Sequence, residues 1–163
     1  DASGWLHKAV YTTAEDWVDS NCKDSRLYVD VIITRLRQLQ KQGITPVMVF
    51  DGKRNTLKSE TNNKREEGRI TNINNAYRLL ESINKTSDPI CKNKIRNECI
   101  ACFQRGLGVT HEIEKYCIST IRKYNIDIII APYEADPQLA YLCSIGYCDG
   151  VLSEDSDILV YSA

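Results

Sequence analysis

The sequence predicts an α/β fold built on a parallel sheet. Three apolar runs of strand length occur along the 163 residues, and helical patterns separate them. This alternation is typical of parallel sheets, because a crossover helix returns the chain to the end of the sheet at which the previous strand began. The runs are "TPVMVF" (45–50), "IDIIIA" (126–131) and "GVLS" (150–153). The length and the 42% hydrophobic content are sufficient for a domain with a buried core.

Four segments carry apolar residues at helical spacing. They are 4–18, 25–42, 110–124 and 134–145. Gly43 and Gly146 follow two of them and are predicted to end those helices, because glycine adopts the left-handed conformation of a helix C-terminus without strain. Thr110 is predicted to cap the start of the third helix through its hydroxyl group.

The charge of the chain is unevenly distributed. Its net charge is only -1, but residues 53–105 hold twelve Lys and Arg against six Asp and Glu. The rest of the chain holds nine against sixteen. A basic insertion in an acidic body predicts a polyanion at one surface and bound cations at another. Much of the insertion is also too poor in apolar residues to belong wholly to a core.

The cysteines and apolar runs exclude some classes of protein. Seven cysteines without regular spacing or a secretory signal predict reduced thiols in an intracellular protein, not a disulfide framework. Cys99 and Cys102 form a CxxC pair, but no second pair stands at a zinc-binding distance, so we expect both in a core. No apolar run approaches the length needed to cross a bilayer, which predicts no membrane partner.

Acidic residues follow each predicted strand. They are Asp51 after the first run, Glu134 and Asp136 after the second, and Glu154, Asp155 and Asp157 after the third. Asp1 precedes a helical segment in the same way, so we expect a strand upstream of it. The carboxyl ends of parallel strands meet at one edge of a sheet, where these carboxylates would repel one another unless cations lay among them. Such oxygen ligands suit Mg²⁺ or Mn²⁺.

Helix capping is the alternative interpretation of these acids. A carboxylate in the first turn of a helix stabilises the helix dipole and accepts hydrogen bonds from main-chain N–H groups. For any one pair of acids, the sequence favours capping and metal binding about equally. The presence of an acid at every predicted strand end, with three in "EDSD", favours metal binding.

Several motifs together resemble the superfamily of flap endonucleases and xeroderma-group-G nucleases, and within it the exonuclease 1 branch. They are "DASGWLHKA", "PVMVFDGK", "LKSETNNKR", "ACFQRGLGVTH", "APYEADPQLAYL" and "SEDSDIL". The resemblance implies a PIN-like parallel sheet flanked by helices with a helical arch insertion. It implies one 5' nuclease domain over 1–163, incomplete at both ends, with its basic arch at about 53–105.

The activity that the resemblance implies is a metal-dependent 5'-3' exodeoxyribonuclease with 5' flap endonuclease capability. It would use two Mg²⁺ ions, or Mn²⁺ in their place, on DNA with 5'-recessed ends, nicks or 5' flaps, in repair or recombination in the nucleus. A flap endonuclease-type structure-specific nuclease and a catalytically incomplete DNA-binding domain are the alternatives. An aspartyl phosphatase would need a D-x-D motif near its first strand, which "DASGW" lacks.

Specific site residues follow from the same resemblance. The metal ligands would be Asp1, Asp51, Glu134, Asp136, Asp155 and Asp157, without Glu154. Lys58 and Arg65 would grip the scissile phosphate from the arch. Their spacing of seven residues places both on one helix face, although solvation is the ordinary role of such a face. His7 would stack on the base beside the cut, or else be a half-buried side chain near Trp5.

Three departures from the family pattern lead to further expectations. The family has a segment before Asp1, and beyond Ala163 it has a further metal-binding aspartate and a helix-two-turn-helix. We therefore expect residues 1–163 alone to be inactive. The polar stretch 84–94 predicts a connector longer than the family pattern has. Glu66 stands where the exonuclease 1 branch tends to be basic, so the arch is expected to differ.

Overall fold

A computed structural model describes residues 1–20, 25–53 and 59–161. It confirms the α/β class, with α1 (Ala2–Thr12), α2 (Ala14–Asp19), α3 (Leu27–Lys41), β1 (Val47–Phe50), α4 (Ser59–Lys85), α5 (Pro89–Gly106), α6 (His111–Lys123), β2 (Asp127–Ile130), α7 (Ala135–Ser144) and a 3-10 helix (Ser156–Tyr161). The segment 4–18, predicted as one helix, is divided at Thr13 into α1 and α2. None of the helices in these ranges is long and apolar enough to cross a membrane.

The strands β1 and β2 form a parallel pair. Val47 lies opposite Asp127, and the register continues to Phe50 opposite Ile130. Met48, Val49 and Phe50 are all buried, which explains why β1 appears in the sequence as a continuous apolar run and not as an alternating one. Both strands end at the same edge, directly before the first two groups of acids.

The predicted strand at 150–153 was wrong. The structure assigns no strand to these residues. The carbonyl oxygen of Leu152 accepts a hydrogen bond from the main-chain nitrogen of Asp1 at 2.9 Å. Because α1 begins at Ala2, the residues after Asp1 turn into a helix and do not continue alongside residues 150–153 as a strand. Val151 and Val49 of β1 line the same cavity.

The described residues divide into two compact units, of which the first contains the sheet. It comprises the described residues of 1–7, 31–57 and 109–163. Its core includes Val49 of β1 and Ala135, Leu139 and Leu142 of α7, with Val151 packed against them. The small Ala135 at the start of α7 packs in this core, so the first turn of the helix is fixed at the carboxyl edge of the sheet.

The second unit comprises the described residues of 8–30 and 58–108, and so holds most of the arch predicted at about 53–105. Helices α4 and α5 form a hairpin on which α2 packs. Phe103 is fully buried in its core and meets the Tyr77 ring edge to face, with centroids 5.9 Å apart. The expectation of a core position for Cys99 and Cys102 is confirmed, and the Cys99 thiol donates a hydrogen bond to the carbonyl oxygen of Ala76 at 3.2 Å.

The long connector predicted at 84–94 was also wrong. Only residues 86–88 lie outside α4 and α5 in that stretch. The Asp88 side chain accepts hydrogen bonds from the main-chain nitrogens of Ile90 and Cys91, and Pro89 occupies the first helical turn. The polar residues after Asp88 therefore belong to a capped helix, because capping and proline start the helix earlier than composition indicates.

Candidate metal centre at the carboxyl edge of the sheet

Asp51 links the end of β1 to the first turns of two helices. One carboxylate oxygen accepts a hydrogen bond from the main-chain nitrogen of Ala135 at 2.7 Å, and the other accepts one from the Ser3 hydroxyl group at 2.6 Å. Glu134 occupies the cap position of α7, but its side chain makes no capping hydrogen bond. The capping alternative is therefore not what explains Glu134, since the carboxylate that serves the start of α7 comes from β1.

Asp1 does act as a cap. Its carboxylate accepts hydrogen bonds from the main-chain nitrogen of Ser3 at 2.9 Å and from that of Gly4 at 3.3 Å. It also accepts one from the Ser153 hydroxyl group at 3.3 Å. A Cβ atom at Gly4 would lie 2.9 Å from this carboxylate, so glycine leaves the space that the carboxylate occupies. The Asp1 side chain thus both caps the start of α1 and holds the 150–157 segment.

The last group of acids is organised by short-range hydrogen bonds. The Ser153 hydroxyl oxygen accepts a bond from the main-chain nitrogen of Asp155 at 3.1 Å, and the Asp155 carboxylate accepts one from that of Asp157 at 3.0 Å. Glu154 instead forms a 3.1 Å ion pair with Arg35, whose guanidinium lies 4.0 Å from the centroid of the Trp5 ring. This pairing gives Glu154 a role different from that of its two acidic neighbours.

The electrostatics of Asp136 reflect the other acids near it. Burial raises the pKa of this half-buried carboxyl group, and the nearby Asp155, Asp51, Asp157 and Glu134 carboxylates raise it further. Negative charges nearby disfavour ionisation of a carboxyl group, and a cation among the carboxylates would favour it. Asp136 thus lies near carboxylates from each of the three segments that carry acids.

The donor set fits a hard divalent cation in its chemistry, because its side chains offer carboxylate oxygens and no sulfur. In the part of the chain that the structure describes, no three acidic, histidine or cysteine side chains converge closely enough to ligate one ion. The assignment of Asp1, Asp51, Glu134, Asp136, Asp155 and Asp157 as ligands therefore stays a prediction.

The residues predicted to contact DNA are described only in part. Lys58 lies outside the described residues, and Arg65 is exposed on α4 in the second unit. His7 is exposed on α1, whereas Trp5 is buried, so the half-buried alternative for His7 was wrong. The phosphate and base contacts of these three residues stay predictions.

Sequence reasoning missed two kinds of residue at this edge. Ser3 and Ser153 connect the acids through their hydroxyl groups, and the only local signal was their position two residues from an aspartate in "DAS" and "SED". Arg35 neutralises Glu154 from a helix 119 residues away in the chain, for which the sequence carries no signal.

Comparison with known families identifies the chain through the two regions that carry the acids. Residues 1–72 match the model of the XPG N-terminal domain, and residues 125–163 match that of the XPG I-region. The chain belongs to the XPG family. The XPG N-terminal match contains Asp1 and Asp51, and the XPG I-region match contains the four remaining predicted ligands.

Curated relatives extend this similarity to nearly the whole chain. Exodeoxyribonuclease 1 of Schizosaccharomyces pombe is 35% identical over 163 residues, which are 100% of this chain and 26% of that protein. The DNA damage-inducible protein DIN7 of Saccharomyces cerevisiae is 34% identical over 161 residues, 99% of this chain and 34% of that protein. Exonuclease 1 of Xenopus laevis is 32% identical over 161 residues, 99% of this chain and 20% of that protein. The chain therefore spans about a third or less of the length of these three relatives.

Proposed function

We propose that this chain carries the nuclease centre of a metal-dependent 5'-3' exodeoxyribonuclease of the exonuclease 1 type, with 5' flap endonuclease capability. The observation that carries the proposal is that Asp136 lies close enough to the carboxylates of Asp51, Glu134, Asp155 and Asp157 for them to raise its pKa. Relatives named exonuclease 1 match the chain over nearly its full length, which supports DNA as the substrate.

The carboxylates would hold and position the metal ions. Two Mg²⁺ ions, or Mn²⁺ in their place, would supply charge neutralisation and an activated water when bound. Asp51 is oriented by Ala135 and Ser3, and each oxygen that accepts those bonds keeps a second lone pair for an ion. The hydrogen bond from the main-chain nitrogen of Asp157 orients Asp155. The chain would thus present preoriented oxygens, which lowers the cost of arranging them at each turnover.

The second unit would supply the contacts to the phosphate backbone. Arg65 is exposed on α4, and its planar guanidinium suits a bidentate contact with a phosphate, while Lys58 would add a compact charge. His7 is exposed, and its ring would stack on a base without selecting its identity. Substrates would be 5'-recessed duplex ends, nicks and 5' flaps, and the enzyme would act on repair intermediates in the nucleus.

Cleavage by a pair of charge-removing variants tests the metal centre. In the protein that carries this chain, Asp136→Asn should reduce Mg²⁺-dependent degradation of a 5'-recessed duplex more than about 100-fold, beyond what loss of an outer-shell partner costs. Binding of the duplex should stay nearly unchanged, because a metal ligand and not a phosphate contact is removed. Asp127→Asn is the matched control, since Asp127 is exposed at the opposite end of β2.

Equal turnover of the two variants would reject the metal-centre assignment. Duplex binding without cleavage by the wild-type protein in Mg²⁺ or Mn²⁺ would instead identify a DNA-binding domain without catalysis. Product lengths from a substrate with a 5' flap separate the two nuclease modes. Single nucleotides indicate exonuclease action, and one released flap indicates endonuclease action.

The arch contact has its own matched pair. Arg65→Ala should reduce turnover and weaken the salt dependence of binding, because one phosphate contact is lost. Arg78→Ala removes an exposed arginine from the same helix, and its spacing of thirteen residues from Arg65 places it on another face. Equal effects of the two substitutions would indicate a general loss of charge and no specific contact.

A further inference from the structure

Two cysteines lie on either side of the turn that ends α7. The main-chain nitrogen of Gly146 donates to the carbonyl oxygen of Cys143, and that of Tyr147 donates to the carbonyl oxygen of Leu142, both at 3.0 Å. Gly146 has φ +73°, which completes the hydrogen-bonding pattern of a Schellman turn. These bonds reverse the chain, so Cys148 runs back beside the last turn of α7, where Cys143 lies.

The two thiols lie near each other and are partly accessible. Cys143 lies close enough to Cys148 to raise the pKa of the Cys148 thiol. Both residues are half-buried, and Ile145 and Tyr147 between them are exposed, so a small molecule in solvent can reach the pair. Burial is the larger cause of this raised pKa, so Cys148 keeps its proton.

The other cysteines in the described ranges have different surroundings. Cys99, Cys102 and Cys117 are buried, and burial raises the pKa of Cys117 to about 12, which keeps it as an unreactive thiol. Cys91 is exposed at the start of α5, where its thiol bonds to the Asp88 carboxylate, which raises the pKa of the thiol. Among these residues, Cys143 and Cys148 combine access to solvent with a second cysteine nearby.

We propose that Cys143 and Cys148 are a reversible dithiol pair, which a small-molecule disulfide such as oxidised glutathione converts to an intramolecular disulfide. The proposal does not depend on nuclease activity. The pair joins two segments that both lead to the acidic edge, since α7 carries Asp136 in its first turn and the chain after Cys148 continues to Asp155. Closure would tie the end of α7 to the start of that segment.

The exchange proceeds in two balanced steps. The Cys143 thiolate attacks one sulfur of oxidised glutathione, which forms a mixed disulfide and releases one glutathione thiolate. Cys148 then loses its proton to solvent and attacks the Cys143 sulfur, which forms the internal disulfide and releases the second glutathione thiolate. Two protein thiols are oxidised and one glutathione disulfide is reduced, and an excess of reduced glutathione reverses both steps.

Incubation with oxidised and reduced glutathione, followed by acid quenching and alkylation of free thiols, tests the proposal. Mass spectrometry should find the peptides of Cys143 and Cys148 joined, with the mass of the native chain lower by two hydrogen atoms. The joined form should increase with the oxidised fraction and disappear in excess reduced glutathione. The oxidised chain should also melt a few degrees higher, because a closed loop restricts the unfolded chain.

Matched variants make the result decisive. Cys143→Ser and Cys148→Ser should each abolish the internal disulfide and its melting shift, and Cys148→Ser should accumulate the mixed disulfide at Cys143. Cys91→Ser, which removes the other accessible thiol, should leave both results unchanged. The proposal is overturned if the native chain forms only mixed or intermolecular disulfides, or if the joined peptides persist in either serine variant.

Discussion

Substitution of Asp51 separates the structural from the proposed metal-binding role of one carboxylate. Asp51→Ala removes the acceptor for the partly buried Ala135 N–H bond at 2.7 Å and for the exposed Ser3 hydroxyl bond at 2.6 Å. A hydrogen bond to a charged group contributes about 1.5–3 kcal/mol when it is shielded from water, and water competes for the exposed Ser3 bond, so that bond contributes less. We expect Asp51→Ala to reduce the free energy of unfolding by about 2 kcal/mol, since Asp51 itself is exposed.

Comparison with Asp51→Asn separates the loss of the hydrogen-bond acceptor from the loss of the carboxylate charge. Its amide oxygen can still accept the bond from Ala135, so we expect it to lose only about 1 kcal/mol or less. Both variants should lose Mg²⁺-dependent cleavage, because both lack the carboxylate charge. Urea unfolding followed by circular dichroism gives the stabilities. Equal stability of Asp51→Ala and the wild type would refute the structural reasoning, and full cleavage by Asp51→Asn would refute the metal-binding role.

Two further predictions concern packing and pH. Phe103→Ala should reduce the free energy of unfolding of the second unit by about 3–5 kcal/mol, because it leaves a cavity at a fully buried site against Tyr77. Urea unfolding measures this loss, and a loss below about 1 kcal/mol would contradict the packing. Burial and neighbouring carboxylates raise the pKa of Asp136 in the folded chain, so its contribution is favourable below the unfolded value of about 3.9 and is lost as pH rises through the folded value. Without divalent cations, Asp136→Asn should therefore weaken the fall in stability as pH rises above about 4, and an unchanged pH profile would count against the convergence of the acids.

The elements that could be predicted from the sequence are those with local signals at both ends. α6 begins where Thr110 accepts a hydrogen bond from the main-chain nitrogen of Ile113 at 3.3 Å, and α3 ends at Lys41, two residues before Gly43 with φ +81°. Such signals lie within a few residues of the element that they define. The failed strand at 150–153 had apolar composition only, and a strand also needs a partner whose position composition does not reveal.

The acids of the candidate site could also be predicted from the sequence, but their hydrogen-bond and ion-pair partners could not. Acids that follow strands can be found in the sequence, and the parallel arrangement of β1 and β2 brings the first two groups together. The particular partners could not be found, since Asp51 meets Ala135 across 84 residues of chain and Arg35 meets Glu154 across 119. Those contacts depend on how α1, α3 and α7 pack in the first unit, which no local pattern specifies.

Titration with Mn²⁺ followed by electron paramagnetic resonance tests the central claim most directly, because it detects bound metal without requiring turnover. The account predicts that the wild-type protein binds Mn²⁺, that Asp136→Asn weakens this binding at least about 10-fold, and that Asp127→Asn leaves it unchanged. Mg²⁺ should compete for the same sites, as expected for carboxylate ligands. Equal Mn²⁺ affinity in Asp136→Asn and the wild type would contradict the claim that the acids at the carboxyl edge of the sheet form the metal centre.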